Sequence, residues 1–428
     1  MRTPPRVLYR VPKQISACTY YRAEVPARIL RRLGAEVDLG SPVEDARTME
    51  ELEQVLLKLL NYDALYYYST GGEAVEKILE FIDTVGCEET DAGIITPPSF
   101  FEDLDDNADH VSPFNPRFCA LGTRLPGHGP LIPGESVNIV TEKGEKVTLW
   151  EDKVTTQEGL VFDIERNQKG MESLYRVLRK ARGVSFTTDR LRRYYVENHG
   201  LENTYVFPNS VLFDDYPDIR LRKEKGVVRV MWQGGDSHYE DWYGLKGALA
   251  EVVEKMPEVR FVIWGMKFPW VHDVIPKDRI EFHEWVPYEA YKIKLSALDF
   301  DIAVAPLVEN DFNVGKSCIK WYEVSALPEP RPFLASAVPP YSDEIVDGET
   351  GMLFSTPTEF VEKLGQLVSS KRLRGRLAAN AKEWVREHRD AERTVPPYWE
   401  WIRASHAGFQ ERAREAHLRL VPPPVQGA

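Results

Sequence analysis

Short apolar runs alternate with amphipathic segments along most of the chain, and this alternation constrains the fold more than any other feature. In the first half, helix-like segments separate the apolar runs at 6–11 and 63–68, the first of them at 22–33. The second half repeats this plan, with apolar runs at 227–232 and 259–264. Parallel strands need a crossover connection, usually a helix. The sequence therefore predicts an α/β fold with two Rossmann-like, doubly wound parallel-sheet domains.

The chain is long enough for two domains. Its 428 residues, 43% of them hydrophobic, can bury two separate cores. We predict an N-terminal domain at 1–212, with a β-hairpin insert around 122–158, and a C-terminal domain at 213–388. A long helix is predicted at 389–420, and the proline-rich end at 421–428 is expected to be disordered.

Net charge, cysteine spacing and the length of apolar runs disfavour several classes of function. A net charge of −13 opposes general binding to nucleic acid. The four cysteines are scattered, which disfavours a disulfide framework or a zinc site and favours a reducing compartment. No apolar run approaches the roughly 20 residues that span a bilayer, and the first residues lack the apolar stretch of a signal peptide. We therefore expect a cytoplasmic protein without a membrane span.

The segment 309–323 is the strongest candidate for a functional site. It follows an apolar run at 302–306 that predicts a buried parallel strand, and it enters a helix predicted at 316–327. A helix N-terminus presents unsatisfied N–H groups and partial positive charge, which suit a phosphate group. Asn313 and Gly315 lie in the loop between this strand and this helix.

Three charged residues of this helix share one predicted face. Lys316, Lys320 and Glu323 are spaced at i, i+4 and i+7. With the hydroxyl of Ser317, the two lysines suit a diphosphate, and the carboxylate suits a sugar hydroxyl beyond it. The alternative interpretation is a solvated helix face with a Lys320–Glu323 pair.

A glycine-rich loop follows the first apolar run of the second half. Gly234 and Gly235 allow the backbone to approach a phosphate closely, and Asp236 follows them. His238 with Asp241 can orient an imidazole toward a sugar or phosphate. The alternative interpretation is that His238 is an ordinary surface residue.

Loops at the carboxyl ends of the predicted strands in the first half are expected to face a ligand. The candidate residues on the acceptor side are Tyr20, Tyr21, Arg22, Gly71 and Gly72. The two glycines also fit an ordinary tight turn. The acidic segment 102–106 is predicted to be a loop, which could hold Mg²⁺ or be a solvated acidic loop.

The plan and several motifs resemble those of the GT-B glycosyltransferases, and within them glycosyltransferase family 4. The segment 208–211 is similar to the family's Pro-Asn-Gly-Val, and 244–247 resembles the Lys-Gly that begins a helix after the glycine loop. Glu323 matches the second glutamate of the family's Glu-x7-Glu motif, and 348–351 resembles its Gly-x-x-Gly.

The resemblance implies roles for individual residues. Lys246 would meet the donor diphosphate, Glu323 would bind the nucleotide ribose, and the backbone at Trp285 and Val286 would read the base. The resemblance also implies a retaining reaction and a C-terminal helix that returns to the first domain.

Two departures set this chain apart within the resemblance. Gly315 stands where the family has its first glutamate, and the glycine loop lacks the usual arginine. The pattern containing His238, Lys316, Lys320 and Glu323 resembles a divergent branch, often found in phages or bacteria.

The expected function is transfer of a hexose from a nucleotide-diphosphate sugar, a UDP- or GDP-sugar, without a required metal or other cofactor. Lys316, His238 and Lys246 are the candidate catalytic residues. The acceptor stays open between a glycan, a lipid-linked sugar, a small molecule and a modified DNA base, and so does the oligomeric state. The alternatives are a non-hydrolysing nucleotide-sugar 2-epimerase and an inactive nucleotide-sugar-binding or scaffold protein.

Overall fold

The protein forms two compact units that are each assembled from separate parts of the chain. The computed structural model describes residues 5–11, 17–68, 72–85, 88–90, 93–140, 146–151, 153–155, 161–219 and 224–420. Unit 1 comprises Met1–Asp105, Gly170–Pro208 and Ala391–Ala428, and unit 2 comprises Asp106–Lys169 and Asn209–Asp390.

Unit 1 is built on a six-stranded parallel sheet. Its strands are β1 (Arg6–Arg10), β2 (Glu36–Gly40), β3 (Ala64–Tyr68), β4 (Ser99–Leu104), β5 (Gly183–Phe186) and β6 (Thr204–Val206). Their order in the sheet is β6-β5-β4-β3-β1-β2. Every residue of β3 and β4 is buried, as expected for central strands covered on both faces.

The helices of unit 1 connect these strands. They are Ala17–Thr19, the π-helical turn Tyr20–Glu24, Val25–Arg32, Pro42–Asp45, Met49–Leu59, Glu73–Val85, Ile164–Lys180, which begins in unit 2, Asp189–His199 and Ala391–Leu420. Local sequence explains several boundaries. Thr48 and Glu51 form a reciprocal capping box at the start of Met49–Leu59. Gly200 ends Asp189–His199 in the left-handed conformation, with φ of 65°.

Unit 2 contains a second six-stranded parallel sheet. Its strands are β7 (Val228–Gly234), β8 (Val259–Gly265), β9 (Ile280–His283), β10 (Ile302–Ala305), β11 (Phe333–Ser336) and β12 (Met352–Phe354). Their order is β9-β8-β7-β10-β11-β12. The strand order turns at β7, and β7 and β10 are adjacent in the middle of the sheet.

The longer helices of unit 2 are Lys246–Lys255, Tyr288–Ala297, Ile319–Ala326, Pro357–Ser369 and Lys371–His388. Shorter helices are Phe118–Leu121, Tyr239–Tyr243, Val271–Val274 and Tyr341–Glu344, and 3₁₀ turns are Ala108–His110, Phe213–Asp215, Asp236–His238, Lys277–Arg279 and Asn313–Gly315. The prediction of two Rossmann-like parallel-sheet domains is confirmed. None of the helices in the described part of the chain combines the length and apolar character that a membrane span requires.

The C-terminal helix packs on unit 1, which confirms the prediction that it returns to the first sheet. The Tyr398 ring stacks on Phe207 with centroids 3.9 Å apart. Tyr398 and Ile402 are completely buried. The helix therefore supplies core side chains to unit 1.

Residues 102–104 of the acidic segment lie in the strand β4, which corrects the prediction of a loop for this part, whereas 105 and 106 follow the strand. A separate small antiparallel pair, Glu88–Thr90 with Gly93–Ile95, precedes this strand. Asp103 is completely buried and accepts two hydrogen bonds from the Arg22 guanidinium, at 2.6 and 2.5 Å. Burial is possible because the opposite charge and the hydrogen bonds offset the cost of desolvation.

The segment 106–169 belongs to unit 2, whereas the hairpin insert around 122–158 is predicted from the sequence to belong to the N-terminal domain. The predicted hairpin is present as Val137–Val140 paired with Lys146–Trp150, and its turn lies outside the described residues. The segment has a small apolar core that includes Val111, Phe118 and Phe162. Phe312, from the loop after β10, is buried in that core.

Candidate functional site

The candidate site lies where β7 and β10 end in unit 2. The glycine-rich loop follows β7 at Gly234, and the segment 309–318 follows β10. Ligands of open parallel sheets bind at the carboxyl ends of the strands, where the strand order turns. The sequence-predicted donor loops are therefore neighbours in the fold.

Close packing explains why the first residue of the loop is a glycine. A Cβ atom at Gly234 would lie 2.5 Å from the Trp232 ring and 3.0 Å from His238. A Cβ at Gly235 would have no described atom within 4 Å. Gly234 is thus required by packing, and the backbone at Gly235 is accessible to a ligand.

A chain of hydrogen bonds joins three polar side chains across the two loops. His238 Nδ1 lies 2.6 Å from Asp241 Oδ2, and His238 Nε2 lies 3.0 Å from Lys320 Nζ. Asp241 is buried, and His238 is 13% exposed at its side chain. The sequence prediction that His238 and Asp241 form a pair agrees with this geometry, and Lys320 extends it.

Burial determines the protonation of His238 and Lys320 in this series of hydrogen bonds. It lowers the pKa of His238 to about 3, with the positive charge of Lys320 acting in the same direction. Burial also lowers the pKa of Lys320 to about 7, and the nearby charge of Lys316 adds to that effect. His238 is therefore neutral at pH 7, and Lys320 loses its proton far more readily than an ordinary lysine.

Asp241 also holds the loop that follows β10. Its Oδ1 accepts the Val308 backbone N–H at 2.8 Å and the Asn313 amide at 3.4 Å. Asn313 in turn donates to the Val308 carbonyl at 2.8 Å. One carboxylate thus connects the short helix Tyr239–Tyr243 to the second loop.

The helix of the second loop starts later than predicted. It spans Ile319–Ala326, after a 3₁₀ turn at Asn313–Gly315. Lys316 and Ser317 therefore precede the helix and do not lie on its face with Lys320 and Glu323, because the turn interrupts the helical geometry.

Lys316 and Ser317 are held by contacts within unit 2. Lys316 Nζ lies 4.7 Å from the centroid of the Phe312 ring, a cation–π contact. Ser317 Oγ accepts a hydrogen bond of 2.9 Å from Asn209, a residue of the predicted Pro-Asn-Ser-Val motif. Within the part of the chain that the structure describes, neither Lys316 nor Lys320 forms an ion pair with a carboxylate. A bound anion could therefore contact both lysine side chains without displacing a carboxylate from them.

Glu323 lies at the inner end of the site and is only 3% exposed. Its Oε2 accepts hydrogen bonds from Tyr291 at 2.7 Å and from Gln233 at 3.3 Å. Burial and the charge of Glu323 raise the pKa of Tyr291, so the phenol keeps its proton and donates. The carboxylate is thus fixed in one orientation.

Trp285 and Val286 follow the end of β9. The Trp285 ring is 51% exposed and lies 5.9 Å from Trp264. A Cβ at Gly265, at the end of β8, would lie 2.6 Å from the Trp285 ring. This aromatic surface therefore lies beside the ends of β7 and β8.

The contacts that the structure describes for Lys246 do not include Lys316 or Lys320. Its Nζ lies 3.6 Å from Asp273 and 5.7 Å from the Trp270 ring. It begins the helix Lys246–Lys255, as predicted.

The predicted acceptor-side residues lie in unit 1. Tyr20 and Tyr21 are 6% and 4% exposed, and Arg22 is completely buried in its pair with Asp103. Gly72 has φ of 112°, and its N–H donates to Ser173 at 2.8 Å. Gly71 lies outside the described residues.

Four residues that contribute to the site were not predicted as site residues from the sequence. They are Gln233, Asp241, Tyr291 and Phe312. Gln233 directly precedes the two glycines, which is a usable signal, and Asp241 was considered only as the partner of His238. Tyr291 and Phe312 carry no local signal, because their roles come from contacts with Glu323 and with the segment 106–169.

Residues 246–396 match the sequence model of a family described as glycosyl transferase-like. Most of this matched segment lies in unit 2, which is similar to a glycosyl transferase-like domain over that range. Among curated protein sequences, none matches this glycosyltransferase at a significant level. The match begins after the glycine loop and includes Lys316, Lys320 and Glu323.

Solved structures share the fold over nearly the whole chain. A glycosyltransferase from Rickettsia africae ESF-5 matches with a TM-score of 0.59 at 12% identity, covering 94% of this chain and 99% of the other. Sucrose-phosphate synthase from Thermosynechococcus elongatus matches with a TM-score of 0.57 at 10% identity, covering 94% and 100%. HepE from Anabaena, in complex with UDP-glucose, matches with a TM-score of 0.55 at 12% identity, covering 93% and 99%.

Identities this low show a common fold and no more. The structural matches confirm the predicted GT-B fold. The family match over 246–396 supports the prediction of a glycosyltransferase.

Proposed function

We propose that this glycosyltransferase transfers a sugar from a nucleotide-diphosphate sugar that is held by unit 2. The observation that carries the proposal is the pair of lysines, Lys316 and Lys320, without a carboxylate partner in the described residues. Burial together with Lys316 lowers the pKa of Lys320 to about 7, so its ammonium is unfavourable unless an anion lies nearby. A diphosphate supplies the missing negative charge.

The neighbouring groups suit the remaining parts of such a donor. In this proposal the Ser317 hydroxyl and the accessible backbone at Gly235 also face the diphosphate. Glu323, fixed by Tyr291, accepts the ribose hydroxyls. The backbone near Trp285 and Val286 meets the base. Lys246, and the loop residues Gly234, Asp236, Asn313 and Gly315, keep their predicted donor-side roles.

The reaction would break the bond between the anomeric carbon of the sugar and a diphosphate oxygen. The diphosphate leaves with the electron pair, the acceptor oxygen bonds to the anomeric carbon, and the acceptor proton passes to the departing diphosphate. Lys316 and Lys320 stabilise the charge that develops on the leaving group, so no metal is required. We propose retention of configuration, which NMR of the product's anomeric proton tests directly.

The donor is tested by thermal shift and calorimetry with UDP, GDP, UMP and UDP-glucose. UDP is tried first because HepE, which shares the fold, is a structure in complex with UDP-glucose. We expect a nucleoside diphosphate to stabilise the protein equally in EDTA and in Mg²⁺. Lys316→Ala should abolish the stabilisation, whereas Lys255→Ala, an exposed residue paired with Glu251, should leave it intact.

Two results would refute the proposal. One is the absence of a shift with every nucleoside diphosphate, and the other is an equal shift in wild type and Lys316→Ala. Binding that depends on added Mg²⁺ would refute the metal-independent form alone.

The acceptor side is proposed to lie in unit 1, at Tyr20, Tyr21, Gly71 and Gly72, whereas the predicted acceptor-side residue Arg22 is completely buried. The complete burial of Arg22 against Asp103 assigns its side chain to holding the π-helical turn Tyr20–Glu24 in place. Turnover of UDP-glucose over a panel of glycans, lipid-linked sugars, small molecules and modified DNA identifies the acceptor class.

A further inference from the structure

Asp241 holds both donor loops and is itself inaccessible to a ligand. Its carboxylate is 2% exposed. One oxygen contacts His238 Nδ1 at 2.6 Å, and the other accepts the Val308 N–H at 2.8 Å. Its effect on a ligand must therefore pass through the groups that it contacts.

The positions of the hydrogen atoms between Asp241, His238 and Lys320 follow from which of these groups can donate and which can accept. Burial acts to raise the pKa of Asp241, but hydrogen bonds from His238 and from the Val308 N–H outweigh it and lower the pKa. The carboxylate is ionised and can only accept, so Nδ1 of the neutral imidazole carries the hydrogen. Nε2 then has a lone pair, and it faces Lys320 Nζ at 3.0 Å.

We propose that Asp241 is a positioning residue for donor binding: it fixes His238 in the Nδ1–H tautomer, whose Nε2 orients the Lys320 amino group toward the donor phosphate. This inference rests on the proposed function and deepens it. It gives His238 an indirect role, through Lys320, rather than direct proton transfer to the donor.

The charged groups around His238 come from three elements. Asp241 lies on its own segment, Lys320 on the helix Ile319–Ala326, and Lys316 in the preceding loop. Glu323 acts on Lys320 from the same helix. The two lysines oppose a second proton on the imidazole, which keeps Nε2 available as an acceptor.

Two substitutions separate positioning from direct catalysis. In Asp241→Asn the amide oxygen can still accept the Val308 N–H, while its N–H₂ faces Nδ1 and favours the Nε2–H tautomer, which opposes the Lys320 ammonium. We expect UDP affinity to fall about tenfold. In His238→Gln the amide can donate to Asp241 and accept from Lys320 with poorer geometry than the imidazole, so we expect UDP affinity to fall about threefold and kcat to fall by no more than that factor.

Loss of kcat in His238→Gln at unchanged UDP affinity would overturn the indirect role, because it would show that the imidazole itself transfers a proton. Unchanged UDP affinity in Asp241→Asn would overturn the role of Asp241. Near-UV circular dichroism of both variants checks that they are folded.

The tautomer can be read without any ligand by ¹⁵N NMR of histidine-labelled protein. The sequence has nine histidines, and the signals missing from His238→Gln identify His238. We expect protonated Nδ1 at pH 7 in the wild type and protonated Nε2 in Asp241→Asn. Protonated Nε2 in the wild type would overturn the inference. The expected tautomer in a protein that binds no nucleoside diphosphate would overturn the proposed function instead.

Discussion

At the scale of single residues, the burial of Lys320 carries a cost to stability. Burial and Lys316 lower the pKa of Lys320 from 10.5 to about 7. Between these values the unfolded chain binds more protons than the folded one, so this residue makes stability rise with pH across that window. Below pH 7 the full cost is present.

Lys320→Met should therefore stabilise the ligand-free protein at pH 6, by about 1 kcal/mol because partial exposure reduces the cost. The gain should disappear by pH 10.5, and Lys255→Met should produce no such pH-dependent difference. Urea unfolding at the two pH values measures both. A less stable Lys320→Met protein at pH 6 would contradict the assignment of an unfavourable charge.

The same lysine predicts the pH dependence of donor binding. A bound diphosphate raises the pKa of Lys320 above 7, so binding takes up a proton when the pH exceeds 7. UDP affinity should fall from pH 7 to pH 9, and it should depend less on pH in Lys320→Met. Calorimetry in buffers with different ionisation enthalpies measures the proton uptake. Proton release at pH 8 would contradict this prediction.

A third residue-scale prediction concerns Glu323. Tyr291→Phe removes the 2.7 Å hydrogen bond to its Oε2 and leaves the carboxylate with Gln233. We expect UDP affinity to fall by a factor of about 5 to 10, the value of roughly 1 kcal/mol for a lost hydrogen bond. Tyr243→Phe, at a residue that is 61% exposed, is the matched control. Equal affinities in both variants would show that Tyr291 does not support the donor site.

At the scale of elements, Phe312 anchors the loop after β10 by packing into the apolar core of the segment 106–169. Phe312 is 3% exposed among residues of 106–169, and its ring contacts Lys316. Further contacts to the same loop come from the 3₁₀ turn Ala108–His110, where His110 lies 3.3 Å from Asp311. The segment 106–169 therefore restricts the loop after β10.

Phe312→Leu should loosen that loop without unfolding the unit, because Leu leaves a smaller side chain in the same core. We expect faster amide hydrogen exchange at 308–318, measured by mass spectrometry, and weaker UDP binding. Phe162→Leu, in the same core, should destabilise unit 2 similarly without a selective effect at 308–318. Identical exchange patterns in both variants would argue against a specific anchor.

At the scale of the whole molecule, each unit combines a conventional parallel sheet with buried polar interactions that join distant parts of the chain. In unit 1, Arg22 bonds to Asp103 and also donates to the Phe207 carbonyl at 2.6 Å. This connects the π-helical turn, β4 and the segment after β6. The ion pair therefore stabilises the assembly of the unit.

Arg22→Met should lower the free energy of unfolding by about 3–5 kcal/mol, because it leaves the Asp103 charge buried without its partner. Adding Asp103→Leu should recover part of the loss, since the two residues are coupled. Urea unfolding of the single and double variants measures this. A double variant that loses the sum of both single effects would contradict the coupling.

The sequence by itself determined the strand–helix plan and the position of both glycine-containing loops. Local periodicity and backbone requirements carry this information, as Gly234 and β10 illustrate. It did not place the helix start at Ile319, since the 3₁₀ turn before it depends on the contacts of Asn313 with Val308 and Asp241.

Only the tertiary structure decided the protonation and connections of the site. His238 and Lys320 are 82 positions apart in sequence, and their pKa values depend on burial that no local pattern encodes. The same reason explains why the prediction for Asp103 was wrong. Its acidic neighbours suggested a loop, but Arg22, 81 positions away in sequence, pairs with it and allows it to be buried in β4. Local spacing specifies elements, whereas desolvation and long-range pairing specify what the side chains can do.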